Sequence, residues 1–209
     1  MYHADVLTLL LVLTLAGGVE VERVLALVNG APVLASDLDL AEVAQLVPHL
    51  SGESDAEYRR TVVEALIALE LRWQDLEAAA LTQRVQVDLA AAWASVLKRA
   101  AGEQALREHL AAVGLPEETL RELVRRAAVV EAYVATRFGP FSRPTPHEVE
   151  DTWTSELIPQ LQAQGKPVPD LATVRAEVEA LVRERKLDVE VRRWTAELEQ
   201  RAAVVRYSR

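Results

Sequence analysis

The chain has 209 residues, enough for one ordinary domain with a real core or for two small ones. Its 32 acids outnumber 23 Lys and Arg for a net charge of −9, and no basic cluster interleaved with aromatics occurs, which argues against binding to a phosphate backbone. The absence of cysteine excludes disulfides, thiol catalysis, cysteine zinc sites and a lipidated-Cys anchor.

Half the residues are hydrophobic but only 5% are aromatic. The apolar content is carried by Ala, Leu and Val at helix-friendly spacings, so the predicted fold class is mainly α.

In chain order, the N-terminus MYHADVLTLLLVLTLAGGVEVERV holds an uncharged run from Val6 to Gly18, 13 residues long and short for a membrane-crossing helix. It suits the hydrophobic region of a signal peptide, with Ala16-Gly17-Gly18 supplying small residues for cleavage. Asp5 and the lack of an early Lys or Arg depart from the usual pattern, so residues 1–18 are read as a signal peptide or an uncleaved anchor. Residues 19–209 are then one helical domain with linkers at about 139–145 and 164–170.

VLALVNGAPVL, about residues 24–35 with its flank, sets two apolar runs around Asn-Gly and predicts a β-hairpin with a type I′ turn. Ser36 and Asp37 predict a helix cap for a helix through about His49, stopped by Pro48 and SGESD. Ser54 and Glu57 form a capping box for a long helix striped by Tyr58, Val62, Leu66, Leu69, Trp73 and Leu76. Thr82 is the expected cap of the next, striped by Val85, Leu89, Trp93, Val96 and Ala100 and stopped at Gly102. A short helix carries Leu106, Leu110 and Val113 up to Gly114, and Pro116 at a first-turn position opens another with Leu120, Leu123, Ala127, Val130 and Val134.

Gly139-Pro140 ends that helix, and Thr145 caps one with Val149, Trp153, Leu157 and Leu161. After QGKPVPD comes a long closing segment whose apolar series, Val174, Val178 and Leu181, is interrupted by the charged run Arg183 to Lys186 and resumes as Leu187, Val191, Trp194 and Leu198. AAVVRYS loses helical period and reads as a short strand at about 203–208, the expected partner of the hairpin.

His3, His49, His109 and His147 are dispersed without metal-ligand spacing, and no phosphate loop, nucleophile elbow or dinucleotide fingerprint is present. Acids such as Glu117-Glu118 and Glu148, Glu150 and Asp151 sit in helix first turns, where the helix dipole explains them. No catalytic, cofactor-binding or metal-binding residue is singled out. Trp73, Trp93, Trp153 and Trp194 fall on apolar stripes and read first as core, with stacking on an extended polypeptide as the functional alternative. The run RERK reads as a solvated helix face.

The order of these pieces resembles the SurA-type periplasmic chaperones. VLALVNGAPVLASDLDL looks like that family's start, directly after a signal peptide, and DAEYRRTVVEALIALELRWQDLEAAAL resembles its long helix. RPTPHEVEDTW looks like the exit from its chaperone helices, and RRWTAELEQRAAVVRYS resembles its closing helix and final strand. In that family a parvulin prolyl isomerase domain usually stands between the equivalents of EVEDTW and the closing helix; here Thr154 to Leu171 is far too short to hold one. The resemblance therefore implies a non-enzymatic chaperone module. Its implied partners are unfolded or extended polypeptides, outer-membrane or secreted proteins, with no cofactor, metal or nucleic acid, and with membrane contact only through residues 1–18 if uncleaved. Two alternatives stay open: a prolyl isomerase relative with a degenerate or absent catalytic domain, and an envelope scaffold for one dedicated partner. The peptide-contacting residues are unassigned.

Overall fold

A computed structural model describes residues 22–207 of the chain; the expected signal peptide or anchor, 1–18, lies outside them. The chain is mainly α with a small antiparallel sheet, as its composition predicts.

Strands β1 (Val24–Val28) and β2 (Ala31–Leu34) form the expected hairpin. Asn29 and Gly30 have φ of 51° and 89°, the left-handed pair that a type I′ turn requires. Strand β3 (Val204–Arg206) lies antiparallel on the other side of β1, with Val28 opposite Val204 and Ala26 opposite Arg206, giving the order β2-β1-β3. Both chain ends therefore meet in one sheet. Pro32 costs no ladder bond because β2 is an edge strand.

Asn29 ties this seam together. Its backbone N–H donates to Ala203 O at 2.8 Å, and its Oδ1 accepts the Ala203 N–H at 2.8 Å. Its Nδ2 donates to Gln74 Oε1 at 2.8 Å, while Gln74 Nε2 donates to Val28 O at 3.0 Å. A turn residue thus links the hairpin, the last strand and a helix.

Helix α1 (Ala35–Val43) starts as expected within a residue, but Ser36 is not its cap. Asp37 instead reaches back to accept the Leu34 N–H at 2.8 Å. Nor does α1 reach His49. Gln45 turns left-handed, φ 48°, and the Leu46 N–H bonds to Ala41 O at 3.0 Å, a helix-ending arrangement normally supplied by glycine.

Helix α2 (Asp55–Ala78) has the predicted Ser54–Glu57 capping box. Its burial is wider than one stripe: Ile67 and Leu71 are buried beside Val62, Leu66, Trp73 and Leu76, since α2 touches α1, the sheet, α5 and α8 at once.

Helix α3 (Leu89–Arg99) is capped by Asp88, whose Oδ1 accepts the Ala91 N–H at 2.9 Å; Thr82 caps nothing. Left-handed Ala80, φ 53°, ends α2, and Leu81, Val85 and Val87 pack from turns against Trp73 and Leu76. Helix α4 (Glu103–Val113) ends at Gly114, and α5 (Glu117–Phe138) follows Pro116, which sits one residue before the first turn.

After a 3-10 turn at Gly139–Ser142, Thr145 and Glu148 form a capping box for α6 (Pro146–Thr152). A π turn at Trp153–Leu157 joins it to α7 (Ile158–Ala163). Val149, Trp153, Leu157 and Leu161 recur strictly every fourth residue, which drifts off one face of a regular helix. The widened turn absorbs that drift and keeps all four toward the same small core.

Helix α8 (Leu171–Arg201) runs unbroken through the charged residues that interrupt its apolar series. Arg183 and Glu184 are exposed, but Arg185 pairs with Glu156 at 2.6 Å and Lys186 with Glu148 at 2.7 Å, so half of that run braces α8 against α6 and the π turn. The apolar series changes face there. Val178 and Val182 pack against Val149 and Trp153; five residues after Val182, the series resumes at Leu187 on roughly the opposite side and packs into the main core with Val191, Trp194 and Leu198.

Candidate functional site

The C-terminal half of α8, the middle of α2 and the middle of α5 enclose a cavity of about 450 Å³, closed at one end by the turn after α1. Its wall is mostly apolar: Leu66 and Leu69 from α2, Val130 and Val134 from α5, Leu187 and Val191 from α8. These residues also form the predicted stripes. Amphipathic helices meeting at a shared apolar face ordinarily interdigitate without a void; here Ala65 and Ala127 leave space between them.

Four charged groups line the cavity: Arg72, Arg99, Glu131 and Asp188. Arg99 donates through Nε to Ala44 O at 3.0 Å and so fastens the turn after α1. Glu131 and Asp188 are exposed at the rim, where Asp188 lies 3.8 Å from Arg192. Arg72 is different. It is half-buried, its Nε donates to Thr195 Oγ1 at 2.8 Å, and the Thr195 hydroxyl donates to Val191 O at 2.7 Å. Burial lowers the guanidinium pKa, and the charge of Asp188 acts in the opposite sense. Its two terminal nitrogens have no hydrogen-bond partner among the described residues.

A second groove, about 570 Å³, runs between the α6–α7 helix and the first half of α8. Trp153, Leu157, Leu161, Val174 and Leu181 line it, with Pro167 and Pro169 from the connection at one end.

A separate polar group lies beside the sheet, where Gln74 also bonds to Val28 O. Glu70 pairs with Arg126 and accepts from Gln74 Nε2 at 2.7 Å. Asp37 nearby is held above the ordinary carboxylate value by burial, opposed by its bond from the Leu34 N–H and by Arg126.

None of the residues weighed from the sequence gathers into a catalytic constellation. His3 lies outside the described residues; His49, His109 and His147 are exposed and far apart in the chain, His49 resting against Tyr58 at 4.6 Å. Glu117 pairs with Arg121 and Glu148 with Lys186. Among the described residues no group of three His, Asp or Glu is arranged to hold a metal ion, and no helix is long and apolar enough to cross a membrane.

Trp73 and Trp153 are buried, in the core role expected of them. Trp194 is half-buried, packs at a tilt against Tyr133 and Phe138 and donates through Nε1 to Asp75 Oδ2 at 3.2 Å, and Trp93 lies under the Arg121 guanidinium at 3.9 Å. Nothing local in the sequence marks Arg72, whose Nε is fixed by Thr195 from 123 residues away.

No protein-family model matches the chain, and no curated protein is significantly similar to it.

Proposed function

We propose that this protein is a non-catalytic holdase of the cell envelope, exported through residues 1–18, which binds extended apolar segments of unfolded outer-membrane or secreted proteins. The observation that carries the reading is the open apolar cavity among α2, α5 and α8, walled by the same stripes that build the core. A cavity of this size falls in the range of ligand sites, and an apolar wall with few polar groups suits side chains of no fixed sequence. The groove beside Trp153 adds a second apolar surface, as multi-site capture of an unfolded chain needs. The acidic surface keeps a complex with an apolar client soluble.

The resemblance to SurA-type chaperones supports the same reading through its order of pieces: hairpin, long helix, exit segment, closing helix and last strand. Where that family usually carries its isomerase, residues 154–170 here are the rest of a helix and one connection. The test is aggregation of a denatured outer-membrane protein diluted into buffer. A modest molar excess of this protein slows it, and no slowing overturns the reading. Proline-limited refolding of a test protein proceeds at its uncatalysed rate; acceleration would establish the isomerase alternative instead.

A further inference from the structure

We infer that the cavity among α2, α5 and α8 receives the C-terminal end of a client chain, with the terminal carboxylate held by Arg72 and the last apolar side chains seated on the helix stripes. The inference rests on the client-binding reading above and specifies what one of its surfaces recognises.

Three observations carry it. Arg72 is a half-buried cation in a mostly apolar wall. Its Nε is fixed by Thr195, itself fixed by Val191 O, so the guanidinium is held in orientation before any ligand arrives. And its two terminal nitrogens, the pair that grips a carboxylate in two parallel bonds, have no partner among the described residues.

Glu131 and Asp188 stand exposed at the rim, where water screens their repulsion of a carboxylate at Arg72. An internal apolar segment would leave the terminal nitrogens of Arg72 without an anionic partner. A chain end brings one negative charge on an apolar body.

The experiment uses the full chain and a fluorescein-labelled peptide ending in Val-Leu-Phe, as free acid and as C-terminal amide, read by fluorescence polarisation. The free acid binds about tenfold or more tightly than the amide, which is about 1.4 kcal/mol. Arg72→Gln removes that preference and Arg72→Lys, which keeps the charge and loses the fork, reduces it. Thermal melts confirm that both variants fold. Equal binding of acid and amide, or a preference that survives in a folded Arg72→Gln, overturns the inference, as does an amidated peptide with an internal Glu that matches the free acid. Dodecanoate displacing the peptide more strongly than the free-acid peptide competes with itself also overturns it, in favour of a lipid carboxylate. If the protein suppresses aggregation while neither peptide binds, this inference fails and the holdase reading stands. If suppression is absent as well, the holdase reading itself has failed.

Discussion

The two halves of α8 serve two unequal structures. Its C-terminal half joins a body in which α1, α2, α4, α5 and a sheet closed from both chain ends surround large, fully buried residues such as Leu40, Ile67, Leu106 and Leu120. Its N-terminal half joins an arm, α6, the π turn and α7, whose buried core is Val149, Trp153, Val178 and Val182, with the rim held by Lys186–Glu148 and Arg185–Glu156. One continuous helix thus carries a large core at one end and a small one at the other. Local opening is governed by buried apolar area, not by helix continuity.

The largest effect is expected in the body. Leu40→Ala removes a fully buried side chain and costs about 2–5 kcal/mol of global stability, measured by chemical denaturation. Melting of the arm alone would show that Leu40 does not anchor the body. Deleting residues 203–209 comes next. It strips β3 from β1 and leaves a two-stranded ribbon, so the melting temperature falls and the β1 amides facing β3 lose hydrogen-exchange protection. An unchanged melting curve refutes the pairing.

Trp153→Ala acts in the other region. The substitution intrinsically costs about 3–5 kcal/mol in a core, which an arm built on so few buried residues cannot absorb. Amides of 146–182 exchange faster while the global midpoint barely moves; a matching fall in the midpoint would show that arm and body unfold as one.

The smallest effect is a pH response confined to the arm. Lys186 Nζ, at 2.7 Å, and the Thr145 N–H hold the Glu148 carboxyl down to about 2 from its ordinary 4.5. A depressed acid stabilises the fold above its unfolded value and loses that contribution as pH falls through its folded one. Arm exchange therefore quickens between about pH 4.5 and 2, and Glu148→Gln flattens that response.

The body's outline was legible in the sequence because its signals are local. Asn29-Gly30, the Ser54–Glu57 box and Gly114 mark turns and caps at fixed offsets, and the loss of helical period after Arg201 marks β3. Misread boundaries fall where non-glycine residues take glycine's conformation: Gln45 ends α1 early, and Ala80 places Val85 outside α3. Ile67 and Leu71 lay outside the predicted stripe because only the tertiary position of α2, covered on several sides, buries them. The reversal of α8 was written in the five-residue step from Val182 to Leu187, but the charged residues between them read only as a solvated helix face. The cavity was the least legible part, since Arg72 is placed by Thr195, from the far end of the chain.

The knot at Asn29 also sets a timetable. A chain emerging N-terminus first exposes its hairpin early, yet β1 keeps an unpaired edge until Val204 to Arg206 have followed, some 180 residues later. Such non-local pairing carries a high contact order and closes late. While the polypeptide is still threading out, its own first strand is an unfinished edge, the very kind of surface that invites aggregation.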